Sequence, residues 1–414
     1  MLSRNSLPRV LCAGMLSVFG ASAAVAQQGS TEVRRLTRQE AITAALGRGL
    51  RVATARADVS AAMAGEAAAR AIPNPVLTSE YTKDTPQYHL SMEWPIDLPW
   101  QRARRIGSAT ALRSAARYRL MFEQAGASLD ADTTYTHALV ARAKADLSRG
   151  NAAAADTLLR FARARQQAGD AAELEVRIAE IFAGQQANLA ASDSVELDSR
   201  LLDLQLVMGE PGDQVAITLA DSLGDPPATD AVAANGPTLL LAAAQQLLHA
   251  TELAVRLERS SVWQAPSLVT GFDTHDPGGQ RGALPVLGLS LPLPLLNRNR
   301  GGIALAEAER ERAQAQLSLV RVETSLELAR VRRERRGALT RLDRDRALLV
   351  SADRVASMSL TAYREGAATL ASVLEAQRNA RDVRAQYLDD LAAAWITAGR
   401  ERALSLTAPD QPLP

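Results

Sequence analysis

Few side chains in this sequence are arranged for chemistry. The four histidines are His89, His137, His249 and His275. None has a partner at the spacing of a helical HExxH metal motif, and an exposed polar loop explains His275, between Asp273 and Asp276, better than a metal site does. No phosphate-binding loop of the GxxxxGK type occurs, so we expect that the chain cannot itself use ATP by that route and that any energy it needs comes from a partner. We predict that the chain is not an enzyme and holds no metal or cofactor.

The composition favours long helices over several globular cores. Of the 414 residues 47% are hydrophobic, chiefly alanine, whereas only 4% are aromatic. The 47 basic residues nearly balance the 46 acidic ones, which argues against a nucleic-acid partner. The arginine-rich segment 330–346 also contains acidic residues, so we interpret it as a solvated helix face.

The N-terminus has the form of a secretory signal. Arg4 and Arg9 precede an apolar run at 10–19 and small residues that end at Ala26, after which we expect cleavage. Cys12, the only cysteine, would leave with residues 1–26, and its preceding residues are too large for lipid attachment. No later run of 18 apolar residues exists, so a membrane-spanning part would have to consist of strands.

The rest of the chain predicts helices and strands in one order, twice. In the first half the predicted elements are a helix at 37–71, strands at 76–82 and 87–95, and helices at 100–168 and 171–208. In the second half they are a helix at 238–262, strands at 267–274 and 284–293, and helices at 297–365 and 369–406. Thr37 and Glu40 form a predicted capping box, and the two longest helices contain no proline.

Matching residues indicate an internal duplication. Three pairs share an offset of 197 residues, namely Pro95 and Pro292, Ile106 and Ile303, and Gly169 and Gly366. We therefore divide the mature chain into a first repeat at 27–208, an irregular equatorial insert at 209–237, a second repeat at 238–406 and a tail at 407–414.

The predicted fold is mainly α with a small β part. A proline-free helix of nearly 70 residues is about 100 Å long, which predicts an elongated coiled-coil barrel or bundle. Four strands cannot close a barrel alone, and open strand edges are not tolerated in lipid, so three chains would share twelve strands. Aromatic residues in or beside the strands suit the membrane interfaces, and they are Tyr81, Tyr88, Trp94, Trp100, Trp263 and Phe272.

Two motifs resemble the TolC-like outer-membrane efflux family. One is Leu-Ser-Leu-Pro-Leu-Pro-Leu at 289–295 with Asn-Arg-Asn-Arg-Gly at 297–301, and the other is Ala-Tyr-Arg-Glu-Gly-Ala-Ala-Thr-Leu at 362–370. The resemblance covers nearly all of the mature chain. It implies a homotrimer in which a twelve-stranded outer-membrane β-barrel continues into a periplasmic barrel of twelve helices. The compact length and the missing lipid anchor resemble the heavy-metal resistance branch.

The resemblance also implies functional residues at the helix turns. Gly169 and Gly366, with Arg364 and Glu365, would form the periplasmic tip, where a periplasmic adaptor docks and connects the duct to an inner-membrane transporter. Positions six and nine residues beyond each tip glycine are often acidic in the family and constrict the tunnel. Here they are Glu175, Ile178, Ser372 and Glu375. Ile178 and Ser372 depart from the acidic pattern, which leaves a ring of Glu375 with or without Glu175.

Three functions follow, and one is preferred. The preferred function is a passive duct of a tripartite efflux system that exports small molecules or metal cations across the outer membrane of a Gram-negative-type cell, extending into the periplasm. The alternative is a periplasmic adaptor or scaffold with long helical hairpins, although an adaptor normally flanks one hairpin with β-domains. A soluble periplasmic enzyme would need a catalytic constellation that the sequence lacks.

Overall fold

A computed structural model describes residues 34–84, 86–227, 236–274 and 283–409. The predicted signal peptide, the predicted turn with His275 and the last five residues of the tail lie outside the described residues. The first half contains β1 (Arg34–Leu36), α1 (Arg38–Arg48), α2 (Leu50–Arg70), β2 (Val76–Tyr81), β3 (Tyr88–Pro95), α3 (Pro99–Gln167), α4 (Glu173–Val207) and β4 (Ile217–Leu219). The second half contains α5 (Leu239–Ser260), β5 (Ser267–Thr274), β6 (Leu284–Ser290), α6 (Arg300–Arg364) and α7 (Leu370–Ser405).

The first helix begins as predicted but is interrupted. The backbone nitrogen of Thr37 donates to Oε2 of Glu40 at 2.8 Å, and the Thr37 side chain accepts from the Glu40 backbone, which completes the capping box. The chain bends at Gly49, so the predicted single helix at 37–71 is wrong and α1 and α2 are separate. A Cβ at Gly49 would lie 2.3 Å from the carbonyl oxygen of Ala45, so this bend requires glycine.

Two long helices, α3 and α6, organise the helical part. At 1.5 Å per residue, the 69 residues of α3 extend for about 100 Å. Helices α2 and α4 pack against α3, α7 packs against α6, and α5 lies against both long helices. Many buried α3 residues are alanine, which lets helix axes approach closely. The helices therefore form two extended hairpins, α3 with α4 and α6 with α7, that lie side by side.

A small equatorial sheet ties the insert to the first repeat. Strand β1 pairs in parallel with β4, and Leu36, Ile217 and Leu219 pack against Tyr135 of α3. The Tyr135 hydroxyl lies 2.8 Å from an Asp221 carboxylate oxygen, and burial raises the pKa of Tyr135 to about 12. The prediction of an irregular insert at 209–237 missed this strand pair, because three-residue strands show no usable periodicity.

Three arginines of the arginine-rich segment of α6 pair with carboxylates of α7. Arg332 Nε and Arg335 Nη1 each lie 3.0 Å from a carboxylate oxygen of Glu401 on α7. Arg341 Nε lies 2.7 Å from Oδ1 of Asp390, also on α7. Both carboxylates are buried, but the Arg332 and Arg341 side chains are still half exposed, so among these arginines the interpretation as a solvated face fails only for Arg335. A buried carboxylate needs such partners to remain charged.

One buried carboxyl in this region has an oxygen without a donor. Asp345 on α6 is 8% exposed, and its Oδ2 has no hydrogen-bond partner among the described residues. Burial raises the pKa of Asp345, and hydrogen bonding to the neighbouring Asp390 adds to the effect. Burial opposes the change at Asp390, but hydrogen bonds from Gln386 and Arg341 lower the pKa of that carboxyl. As pH falls, Asp345 therefore takes up a proton before Asp390 does.

We predict that Asp345→Asn makes the stability of the protein less sensitive to pH. A carboxyl whose pKa rises on folding stabilises the fold at low pH, and this contribution falls as pH rises from its ordinary value through the raised pKa. Asparagine keeps an N–H donor at every pH, so the variant should gain stability over the parent as pH increases. Thermal unfolding followed by circular dichroism between about pH 4 and pH 8 measures this difference.

The matched control is Asp343→Asn on the same helix, because the Asp343 side chain is exposed. That substitution should leave the pH profile of the parent almost unchanged. A stability difference between Asp345→Asn and the parent that stays constant with pH would contradict the raised pKa of Asp345.

Candidate functional site

The two helical hairpins end in the same backbone turn. Gly169 and Gly366 follow α3 and α6 with φ of +84° and +75°, which is the left-handed region. The Gly169 and Asp170 nitrogens donate to the carbonyls of Gln166 and Arg165, and the Gly366 and Ala367 nitrogens donate to those of Tyr363 and Ala362. This pair of bonds defines a Schellman motif. Since no atom lies within 4 Å of an added Cβ at either position, backbone conformation alone requires the glycines.

The surface around the second turn is open. Arg364 and Glu365, which the sequence analysis assigned to adaptor docking, are exposed at the end of α6. Gly169 and Gly366 are exposed as well, so both turns present backbone and charged side chains to the surroundings. The arrangement suits a docking end, and the docking role itself stays a prediction.

An apolar cluster just before the turns joins the two hairpins. Its buried members are Leu158, Leu159, Ala162, Val176, Ala179, Tyr363, Leu370 and Val373, which come from all four helices. Tyr363 is 1% exposed and meets the Phe161 ring edge-on at a centroid distance of 5.8 Å. The Arg165 guanidinium lies 5.2 Å from the centre of the Tyr363 ring. The sequence analysis did not identify Tyr363, although it lies three residues before Gly366 in a chain with few aromatics.

Glu175 takes part in this connection. The Tyr363 hydroxyl donates to Oε2 of Glu175 at 3.3 Å, which links α6 to α4. Burial raises the pKa of Tyr363, Arg165 opposes the change, and the Glu175 carboxylate adds to it, so the hydroxyl remains a donor. Ile178, one turn further along α4, packs against the apolar cluster. The first repeat therefore uses these two positions to hold the hairpins together.

The matching positions of the second repeat, Ser372 and Glu375, are exposed in the single chain. Ser372 is exposed in the first turn of α7, where its backbone nitrogen donates to Oγ1 of Thr369 at 3.3 Å. Glu375 is exposed one turn later, and Nδ2 of Asn379 on the same helix lies 3.5 Å from its carboxylate. Among the three predicted constriction residues, Glu375 is therefore the one with an exposed carboxylate.

At the opposite end of the long helices, the two strand pairs form one sheet. Its order is β2-β3-β5-β6, and all neighbours are antiparallel. Strands β3 and β5 join the two repeats, while β2 and β6 are the edges. Each edge strand has one side without a partner strand in the protomer.

The register separates the sheet into an apolar face and a polar face. The apolar face has Leu77 and Tyr81 on β2, Tyr88, Leu90, Met92 and Trp94 on β3, Leu268 and Phe272 on β5, and Leu287 and Leu289 on β6. Most of these side chains are exposed. Because side chains alternate along a strand, the intervening residues form the second face, which we call the polar face because Glu80, His89 and Asp273 lie side by side there. It also contains apolar residues, namely Val76, Val269, Leu284 and Val286.

The polar face contains a cross-strand pair that the sequence analysis missed. His89 Nδ1 lies 2.8 Å from Oδ1 of Asp273, and both side chains are partly exposed. The alternation of apolar and polar residues at 88–94 was the available signal, but the pairing partner lies in the other repeat. A sheet with one apolar and one polar face can separate lipid from water.

The six predicted interface aromatics lie at different levels along the strands. Tyr81 and Tyr88 pair at the turn end of the sheet, with ring centroids 5.2 Å apart. Trp94, Trp100 and Trp263 lie toward the helix end, and Phe272 pairs with Leu90 in between. All six are exposed. Tyr88 and Trp94 are separated by about 20 Å of strand, or about 15 Å across the membrane at a typical barrel tilt, compared with about 25 Å for the apolar band of outer-membrane barrels.

Within residues 34–84, 86–227, 236–274 and 283–409, no helix has the length and apolar character needed to cross a membrane. In those same ranges, no group of three or more His, Cys, Asp or Glu side chains is placed to hold a metal ion.

Comparisons with known proteins find similarity to outer-membrane proteins. Residues 234–399 match the family described as outer membrane efflux protein. The fold resembles the outer membrane protein VceC of Vibrio cholerae, with 16% identity, TM-score 0.74, and 89% of this chain and 96% of that chain covered. It also resembles the MtrE outer membrane channel of Neisseria gonorrhoeae, with 13% identity, TM-score 0.70 and 98% of each chain covered. Among curated proteins, no sequence matches this chain.

We predict that Gly366→Val strains the turn between α6 and α7, whereas Gly366→Asn is tolerated. A left-handed backbone costs an ordinary residue about 1–2 kcal/mol, more for a β-branched one, and asparagine adopts it more readily. Amide hydrogen exchange at Ala367, whose nitrogen bonds the Ala362 carbonyl at 2.8 Å, should become faster in the valine variant only. Equal exchange in both variants would show that the left-handed conformation is not what holds this turn.

Proposed function

We propose that the chain belongs to the outer membrane efflux protein family, whose model matches residues 234–399, and that three copies form the passive duct of a tripartite efflux system. The observation that carries the proposal is the four-stranded sheet with one apolar face, one polar face and two unpaired edges. Such a sheet is suited to lipid on one side and water on the other, but only if its edges find partners.

Closure by three copies satisfies both edges. If β6 of each copy pairs with β2 of the next, every edge N–H and C=O group gains a strand partner, and none is left unpaired in lipid. The ring then has twelve strands, an even number within the range of outer-membrane barrels. The apolar face points to lipid, and the polar face with His89 and Asp273 lines a water-filled lumen.

The helical part extends this lumen away from the membrane. Each long helix follows a strand of the sheet after a connection of three or nine residues and ends about 100 Å away at the turn of Gly169 or Gly366. Exposed Arg364 and Glu365 at that end give a periplasmic adaptor charged groups to bind, and the adaptor connects the duct to an inner-membrane transporter. The duct itself needs no energy source.

The cargo we propose is small molecules or metal cations, in keeping with the resemblance to the heavy-metal resistance branch. The alternative of a periplasmic adaptor fits the structure less well. An adaptor would expose long hairpins beside separate β-domains, whereas here the strands of both repeats pair with each other between the long helices.

Purified protein tests the duct directly. We predict that the mature chain runs as a trimer after chemical crosslinking in mild detergent, and that it forms ion-conducting channels in planar bilayers. A matched preparation unfolded by heat should give neither result. A folded monomer that conducts no ions would refute the duct and leave the adaptor as the better function.

Glu375 is the carboxylate that we propose for the constriction. It lies nine residues beyond Gly366 on the exposed surface of α7, whereas the Glu175 carboxylate is engaged by Tyr363. Threefold symmetry would bring three copies of Glu375 toward one axis. Carboxylates ringed around a pore attract cations and repel one another, so a bound cation should hinder conduction.

We predict that Glu375→Gln weakens the block of single-channel current by Mg²⁺, because the neutral amide attracts the cation less. The half-blocking Mg²⁺ concentration, measured in planar bilayers, should rise several-fold. The control is Glu311→Gln, an exposed glutamate on α6 about 80 Å from the tip turn, which should retain the block of the parent. If both variants keep that block, the constriction does not depend on Glu375.

A further inference from the structure

A row of exposed leucines continues beyond the last strand of the sheet. The row consists of Leu287, Leu289, Leu291, Leu293, Leu295 and Leu296. The first two lie on the apolar face of β6, and the others follow in the connection to α6. Leu291, Leu293 and Leu295 keep the two-residue spacing of the strand, and Leu296 is fully exposed. The apolar face of the sheet therefore has an extension at its helix end.

The first repeat has no such extension. Its connection from β3 to α3 is three residues long, whereas the connection from β6 to α6 has nine residues. The short connection is held in place, since the Ile96 nitrogen donates to the Pro266 carbonyl at 2.8 Å and Arg105 bonds Asp97 at 2.9 Å. Divergence between duplicated repeats has thus produced a leucine-rich segment in one of them.

The backbone of this segment has few free donors. Pro292 and Pro294 have no N–H group, and the Leu295 nitrogen donates to the Leu293 carbonyl at 2.8 Å. An unpaired N–H in hydrocarbon costs several kcal/mol, so the alternation of leucine with proline lowers the cost of placing irregular backbone against lipid.

The dimensions of the sheet leave room for such an extension. Strand β6 has seven residues, which extend for about 24 Å along the strand and about 18 Å across the membrane at a typical barrel tilt. The apolar band of an outer-membrane barrel is about 25 Å tall. Strand β6 alone falls short of that height, and leucines beyond its helix end supply apolar surface at the periplasmic side.

Cationic side chains follow the leucines directly. Arg298 and Arg300 are exposed, and neither forms an ion pair with another described residue. Guanidinium groups bind phosphate in a planar, two-pronged geometry. The order of apolar and then cationic side chains matches the order of acyl chain and headgroup phosphate from the membrane interior outward.

We propose that the leucine row inserts into the periplasmic leaflet of the outer membrane, with acyl chains against Leu291 to Leu296 and headgroup phosphates at Arg298 and Arg300. This inference rests on the proposed function, because it requires the sheet to span that membrane. It adds a lipid-binding rim, contributed by the second repeat alone, that occurs three times around the trimer.

Single cysteines test the rim. Cys12 is the only cysteine in the sequence and lies in the predicted signal peptide, so an introduced cysteine would be the only thiol of the mature chain that the fluorophore can label. Leu295→Cys and Leu296→Cys, labelled with a polarity-sensitive fluorophore, report on the rim. Leu287→Cys reports on the strand, and Leu305→Cys, an exposed leucine on α6, is the matched control outside the membrane. Labelled trimers are reconstituted in phosphatidylcholine vesicles that contain lipids spin-labelled near the headgroup or in mid-chain.

We expect labels at positions 295 and 296 to shift their emission to the blue and to lose most of their fluorescence with the spin label near the headgroup. The label at position 287 should be quenched most by the mid-chain label, and the one at 305 by neither. Quenching at position 287 without quenching at 295 and 296 would overturn the proposed lipid-binding rim but leave the proposed duct intact. In that case, crosslinking from the thiol of the Leu295→Cys variant would show whether a neighbouring copy covers the leucine row. Absence of quenching at all positions would instead refute the membrane-spanning sheet.

Discussion

The structure depends on one constraint, that strand edges cannot stay unpaired in a lipid bilayer. Four strands leave β2 and β6 open, and an apolar face with Tyr88 and Phe272 exposed would not be stable in water. Both problems disappear when copies of the sheet join side by side in a membrane. The proposed trimer thus follows from hydrogen bonding in the sheet. The helices would have the same threefold symmetry as the barrel, because each long helix is connected to a strand of the sheet.

The helical part meets a different requirement, since helices of about 100 Å must remain in contact over their whole length. Alanine-rich surfaces allow close packing, and interhelical ion pairs such as Arg335 with Glu401 fix how α6 and α7 lie against each other. At the far end, Tyr363 and Glu175 connect the hairpins of the two repeats. The apolar cluster and this hydrogen bond therefore fix the separation of the hairpins at that end.

The two repeats share the order of their helices and strands but differ in individual side chains and in one connection. Both repeats keep the left-handed glycine after the long helix, because the turn geometry demands it. At the position six residues later, one repeat has Glu175 bonded to Tyr363 and the other has exposed Ser372. The strand-to-helix connection also differs, being short and tethered in the first repeat and leucine-rich in the second. Three identical chains can thus place two kinds of repeat in alternation around one axis.

The sequence alone determined the features that depend on neighbouring residues: the long helices, the four strands of the larger sheet, the Thr37 capping box, the tip glycines and the duplication. Local spacing encodes each of these. The tertiary structure decided what depends on residues far apart in the chain. It paired β1 with β4, divided the sheet into its two faces and joined Tyr363 to Glu175. It also paired three arginines of α6 with two buried carboxylates of α7, because the partner of a charge is set by packing and not by spacing along its own helix.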